Sequence, residues 1–226
     1  MATLFQDRKH AAEELVKILN SIVINNNKKE LLVLAIPRGG IIIGDVIASH
    51  FHCNLDIVVS RKIGAEFNSE LAIGAVMPDN SYFINEQIIN MIPSVSQNYI
   101  ENQIKIEKKE IDRRLIEFRG NSQYNDKLNG KDVLLVDDGI ATGATIIAAA
   151  RWIKNKYNCK SLIVAVPVAP AKDRYAMNSL KDIANKVIVS HFAEEFFGVG
   201  QFYKIFDQVS NTDVKEIMKK YGYNII

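Results

Sequence analysis

The sequence predicts an α/β fold, a mostly parallel sheet with helices on both faces, and three observations predict it. Short apolar runs such as Leu31 to Ile36 and Val133 to Val136 have the pattern of strands buried on both faces. Segments with helical spacing alternate with these runs, the order that a parallel sheet requires. Two of the runs end in loops of small residues, where ligands of such sheets sit.

From Asp7 to Ile24, Ala11, Leu15, Ile18, Leu19 and Ile22 recur at helical spacing, giving an amphipathic opening helix that Asn25-Asn26-Asn27 ends. The buried strand Leu31 to Ile36 stops at Pro37-Arg38-Gly39-Gly40. Ile41 to Phe51 reads as a helix and Leu55 to Ser60 as the next buried strand. Leu71 to Val76 and Tyr82-Phe83-Ile84 flank the turn Pro78-Asp79-Asn80-Ser81, a hairpin off the sheet. Between Ser94 and Arg119, Ile100, Ile104, Ile111, Leu115 and Phe118 keep one face of a long helix, and both charge signs mix on the other. Such a face is that of a solvated helix packed on a neighbour or a dimer mate, not a nucleic-acid stripe. Gly120 to Gly130 is a polar loop. Asp132 to Val136 is a strand, followed by an Ala-rich helix to about Tyr157, a strand over Ser161 to Val166, a helix over Ala171 to Leu180 and a last strand over Lys186 to Val189.

Of 226 residues, 48% are apolar and 24% charged, the composition of a folded globular chain. The net charge of +2 gives no general attraction to nucleic acid or to an anionic membrane, so any anion binding must be local. Asp7, Arg8, Lys9, Glu13, Glu14 and Lys17 leave no apolar core for a signal peptide in the first turns of the sequence. No uncharged apolar run approaches the roughly 18 residues of a membrane span. A cytoplasmic protein is expected, with Cys53 and Cys159 as unpaired thiols in a reducing compartment.

The strongest chemical signal is Val133 to Thr145. A buried strand delivers Asp137 and Asp138 to a sheet edge, and a small-residue loop with Thr142, Gly143 and Thr145 then opens a helix. Free amides and the positive dipole end of a helix start make a phosphate cradle. The two carboxylates must want something else beside that phosphate: sugar hydroxyls or a metal. A phosphorylated sugar fits both demands. Consecutive strand residues face opposite ways, so the two aspartates are expected to do different jobs. The lysine of a P-loop is missing after Gly143, and Gly198-Val199-Gly200 lacks the context of a dinucleotide fingerprint.

Val136-Asp137-Asp138-Gly139-Ile140-Ala141-Thr142-Gly143-Ala144-Thr145 resembles the phosphoribosyl pyrophosphate (PRPP) motif of the type I phosphoribosyltransferases. Phe5-Gln6-Asp7-Arg8, Leu34 to Gly40, Arg61-Lys62-Ile63-Gly64, Glu70 to Val76, Ala165 to Pro170, Phe197 to Tyr203 and Phe206-Asp207-Gln208-Val209 are similar to a branch of that family whose acceptor is unassigned. The resemblance implies the family's fold as a single domain over residues 1–226, with a helical insertion at about 85–130 and a C-terminal hood at about 190–226. It further implies that Ala141, Thr142, Gly143, Ala144 and Thr145 hold the 5-phosphate and that Asp137 and Asp138 address the ribose hydroxyls. Arg38, Gly39 and Gly40 would form the pyrophosphate loop, often marked by a cis peptide. Arg61 and Lys62 would meet the pyrophosphate leaving group, and Gly64 to Ser69 would be the mobile catalytic loop.

The same resemblance implies Mg²⁺ as cofactor, carried on PRPP oxygens and water with no direct protein ligand. It implies transfer of 5-phosphoribosyl from PRPP to a nitrogen acceptor such as a nucleobase, with pyrophosphate released, by a homo-oligomer, a dimer in the simplest case. A regulatory protein that senses PRPP or nucleotides is the alternative. Ala141 stands where hypoxanthine-type enzymes carry Asp, so that position cannot deprotonate a 6-oxopurine. Glu66 and Glu70 are candidate loop bases, each with a plain solvated or structural role as the alternative. His191, Phe192, Phe196, Phe197, Phe202 and Tyr203 are candidates to stack a flat base.

Overall fold

In the computed structural model, residues 3–23, 30–92, 95–124 and 127–225 are described. The strands are β1 (Leu31–Ala35), β2 (Asn54–Ile57), β3 (Arg61–Ala65), β4 (Asn68–Val76), β5 (Tyr82–Ile84), β6 (Asp132–Val136), β7 (Ser161–Pro170) and β8 (Lys186–Ala193). The helices are α1 (Arg8–Val23), α2 (Gly39–Phe51), α3 (Glu86–Asn90), α4 (Gln97–Arg119), α5 (Ala144–Lys156), α6 (Arg174–Ile183) and α7 (Asn211–Lys220).

The main sheet has the order β2-β1-β6-β7-β8 and all its pairs are parallel. Every residue of β1 and β6 is buried, as continuous apolar runs require of strands covered on both faces. From β1 the chain crosses through α2 to β2, away from β6, whereas from β6 it crosses through α5 and α6 to β7 and β8 in the other direction. Right-handed crossovers in opposite directions put α2 on one face and α5 and α6 on the other. The direction reverses between β1 and β6, and a crevice opens there beyond their carboxyl ends.

The α/β class holds, and several boundaries move. Ser161 to Val166 lengthens to Pro170 and the last strand to Ala193, because Val168↔His191 and Ala169↔Phe192 continue the ladder. The helix expected from Ala171 starts at Arg174, capped by the Asp173 side chain accepting from the Ala176 N–H at 2.9 Å. In α1, Ala11, Leu15 and Leu19 are fully buried, but Ile18 is 36% exposed on the flank of the apolar stripe. The turn at Asn25-Asn26-Asn27 and Ser94 lie outside the described residues.

The expected loop Gly64 to Ser69 is instead a β-hairpin. Arg61–Ala65 and Asn68–Val76 pair antiparallel, with only Glu66 and Phe67 between them, and β5 joins as the third strand of a second sheet. Ile63 and Ala65 alternate with exposed or half-exposed neighbours and are buried, so the period of two runs through the stretch that its polar residues disguise. The small sheet packs on α4 and α5. Ser96 caps α4 by accepting from the Tyr99 N–H at 3.1 Å, and Ile100, Ile111, Leu115 and Phe118 are buried as their spacing demands. At its far end Arg119 pairs with Asp56 of β2 through Nε and Nη2 at 2.7 and 2.9 Å, both side chains buried.

Within the expected hood, helix α7 was not foreseen. Its signal is the capping box at Ser210 and Asp213: Ser210 Oγ accepts from the Asp213 N–H at 3.1 Å, and Asp213 Oδ2 from the Ser210 N–H at 2.8 Å. Val214 and Met218 bury its inner face, and α7 packs on α4 and α2. The start of the chain meets this region. The Leu4 and Phe5 amides donate to the Phe202 carbonyl at 3.0 and 2.8 Å, and Lys204 and Ile205 donate back to Phe5 and Gln6 at 2.9 Å. Among the described residues no helix is long and apolar enough to cross a membrane.

Candidate functional site

The neighbouring strands β1 and β6 end together, Ala35 opposite Val136, and the Ile36 N–H extends the ladder to the Val136 carbonyl at 3.0 Å. The loops that follow are therefore side by side. Pro37–Arg38 is a cis peptide bond, the feature the resemblance implies. The Gly40 N–H reaches back to the Ile36 carbonyl at 3.1 Å, so α2 begins at Gly39, two residues before the expected Ile41. Both glycines are thus in the first turn of a helix pressed against β6. A Cβ on Gly39 would lie 1.9 Å from Asp138 Oδ2, and one on Gly40 would lie 3.0 Å from the Asp137 Cα and the Val136 carbonyl oxygen. Only glycine allows this approach of backbone to acidic pair.

The two aspartates diverge as strand alternation predicts. Asp137 Oδ1 accepts from the Asp138 N–H at 2.8 Å, and Asp137 lines a hollow of about 130 Å³ together with Gly139 to Ile146. Asp138 Oδ2 accepts from Arg8 Nε at 2.8 Å, and its carbonyl accepts from the Tyr203 hydroxyl at 2.6 Å. Burial pushes both carboxyls above the usual range. For Asp137 the neighbouring Asp138 carboxylate adds to this, and for Asp138 the Arg8 guanidinium opposes it.

The wall of the hollow is the loop that opens α5. The Ile140 N–H is tied to the Val168 carbonyl at 2.9 Å, and Gly143 stands at the N-cap with φ +75°. A Cβ at 143 would come within 2.6 Å of the Ala176 Cβ. The Ile147 N–H is bonded to the Gly143 carbonyl, so the amides of Ala144, Thr145 and Ile146 precede the helix ladder and have no carbonyl within it. Ala141 and Thr142 are exposed and Thr145 is half-buried beside them. Amides, dipole and hydroxyls converge on a volume suited to a phosphate.

Arg38 donates to Asn211 Oδ1 at 3.4 Å, and Asn211 donates to Glu117 of α4 at 2.8 Å. Arg61 and Lys62 open β3 of the small sheet. Arg61 Nε donates to Glu107 of α4 at 2.6 Å, so this cation is paired within the protein. Lys62 is exposed on the same strand. Glu66 is exposed at the hairpin tip, and the side chains of Ser69 and Glu70 lie outside the described residues.

The aromatic candidates disperse. Phe196 and His191 contact Phe202 at centroid distances of 5.5 and 6.0 Å, whereas Phe197 is 87% exposed. Tyr203 turns to Phe206 at 4.9 Å and, with it, to Arg8. Arg8 and Asn211 were given no role from the sequence, and Tyr203 only that of a base-stacking candidate, because their partners are distant along the chain and no local pattern marks them. For Arg8 the signal was the short Phe5-Gln6-Asp7-Arg8 stretch alone.

A family model for the phosphoribosyl transferase domain matches residues 6–196. A Mycobacterium tuberculosis protein described as a "Putative phosphoribosyl transferase" is 31% identical over 213 residues, covering 93% of this chain and 45% of that protein. The same description and figures hold for its counterpart in a second strain. The chain thus spans about half the length of the curated relatives it matches. The crystal structure of the Thermus thermophilus protein TT1426 superposes with a TM-score of 0.75 at 31% identity, covering 96% of this chain and 98% of that one.

Proposed function

The chain belongs to the phosphoribosyl transferase family, and from that premise we propose that it moves a 5-phosphoribosyl group from PRPP to a nitrogen acceptor, a nucleobase, releasing pyrophosphate. The observation that carries this reading is the contact of Gly39 and Gly40 with Asp138 and Asp137, which joins a pyrophosphate loop, a ribose-binding pair and a phosphate hollow in one crevice.

The 5-phosphate sits on the amides of residues 141–145 and on the Thr142 and Thr145 hydroxyls. Asp137 and Asp138 accept from the ribose hydroxyls. The bond from the anomeric carbon to the pyrophosphate oxygen breaks as the bond to the acceptor nitrogen forms, with positive charge developing on the ribose ring and the proton of the acceptor N–H passing to the departing pyrophosphate. Asp137 and Asp138, when ionised, favour that charge, and Arg38 and Lys62 favour the departing anion.

The donor set fits a Mg²⁺ ion carried by PRPP, because both acidic side chains already accept a bond from the protein, Asp137 from an amide and Asp138 from Arg8. When bound, the ion supplies neutralisation of the pyrophosphate charge. Two free thiols, Cys53 and Cys159, support a reducing, cytoplasmic setting.

One observation favours a second reading, a protein that senses PRPP without turnover. The Arg61–Glu107 pair occupies a cation that transfer would use. Calorimetric titration with PRPP, with and without Mg²⁺, tests the site, and pyrophosphate release against a panel of nucleobases separates enzyme from sensor. Saturable, magnesium-dependent binding is expected. No binding under either condition would remove the proposal.

A further inference from the structure

Two cations at the crevice, Arg8 and Arg38, are held by one short stretch of chain, residues 203–211, which lies past the part that the family model matches. At one end of the stretch, the Tyr203 hydroxyl donates to the Asp138 carbonyl at 2.6 Å. The Phe206 ring lies under the Arg8 guanidinium, 3.8 Å from its carbon, and the Asp207 carbonyl accepts from Arg8 Nη1 at 2.8 Å. With Nη1 and the cation's face engaged, Nε is aimed at Asp138 Oδ2. At the other end, Asn211 accepts from Arg38 and is itself fixed by Glu117. Helix α7 and its capping box anchor the stretch from behind.

We propose that residues 203–211 form a positioning arm for the substrate, one end setting the carboxylate that meets the ribose and the other setting the cation that meets the pyrophosphate. The inference rests on the PRPP reading above. An arginine has many rotamers, and a side chain fixed before the ligand arrives loses less freedom on binding. Phe206 and Asn211 contact protein side chains, Phe206 that of Arg8 and Asn211 those of Arg38 and Glu117. They act through Arg8 and Arg38, and because those act on different parts of PRPP, the two ends of the arm are separable.

Ribose 5-phosphate and magnesium pyrophosphate, titrated one at a time, read the two ends. Phe206→Leu removes the ring face and should weaken ribose 5-phosphate about fivefold while pyrophosphate stays within about twofold. Asn211→Ala should do the reverse, weakening pyrophosphate about fivefold and sparing ribose 5-phosphate. Phe206→Tyr keeps the ring face and should retain both affinities. A merely structural role would change both ligands equally or neither, and either result overturns the arm while leaving the PRPP site standing. If the unaltered protein binds neither ligand, the PRPP reading falls and the arm with it.

Discussion

Arg8 and Asp138 are 130 positions apart in the chain, and Arg8 Nε donates to Asp138 Oδ2 at 2.8 Å. The pair joins the first helix to the loop after β6, and the guanidinium opposes the effect of burial on the carboxylate that faces Gly39. Asp138 is pushed up by burial and held down by Arg8. A carboxylate accepts from ribose hydroxyls above its pKa, and that affinity is lost as pH falls through it. Arg8→Gln removes the opposing cation, so the Asp138 pKa rises further and the loss begins at a higher pH. Calorimetric titration of ribose 5-phosphate at a series of falling pH values should show the acid limb displaced upward in the variant. A limb that does not move would count against the pair.

Gly39→Ala tests the contact between loop and acidic pair. The added Cβ would lie 1.9 Å from Asp138 Oδ2 and 3.1 Å from Arg8 Nε, so the carboxylate must shift. Overpacking of this kind costs about 1–3 kcal/mol. PRPP affinity should fall about tenfold or more, the equivalent of about 1.4 kcal/mol. Undiminished affinity in a folded variant would contradict the geometry.

Thr142 is exposed, so its removal should leave stability within about 0.5 kcal/mol. Thr142→Ala should nonetheless weaken ribose 5-phosphate by about fivefold to tenfold, the loss of one hydrogen bond to a charged group. Gly143→Ala should weaken the ligand and also destabilise the fold, since φ is +75° and the new Cβ meets that of Ala176 at 2.6 Å. Thermal unfolding beside calorimetry separates the two. Equal stability loss in both variants would contradict the assignment.

Lys62 is exposed, and its proposed role is toward the departing pyrophosphate. Lys62→Ala should lower kcat about tenfold or more and leave PRPP dissociation within about twofold, because the charge it meets develops in the transition state. A purely affinity-based effect would place this lysine outside the chemistry.

The Arg119–Asp56 pair, both side chains buried, ties α4 to β2. Arg119→Leu leaves Asp56 buried without its partner and should cost about 3–5 kcal/mol in urea unfolding. A loss below about 1 kcal/mol would mean that water reaches Asp56 readily.

The main sheet was legible because its strands are buried on both faces, and a continuous apolar run such as Leu31 to Ala35 has few other uses. The loop after β6 stood out for a related reason: Asp137 and Asp138 directly after a buried strand, followed by small residues, are costly unless something compensates them. The β3–β4 hairpin was hidden by its polar residues, although Ile63 and Ala65 keep the alternation. Helix α7 was hidden behind a short cap signal at Ser210 and Asp213.

Which side chains meet at the crevice is a matter of a different kind. By itself the sequence determined the α/β alternation, the two loops and the family resemblance, since each is written in neighbouring residues through periodicity, turn chemistry and spacing. Tertiary structure alone decided that Arg8 seats on Asp138, that Arg38 is tied to Asn211, and that Arg61 is taken by Glu107. Those partners are 130, 173 and 46 positions apart. Side chains at such separations meet only when strand order and helix packing bring them within hydrogen-bonding distance, where a charged donor gains a partner, a carboxylate for Arg8 and Arg61 and an amide oxygen for Arg38.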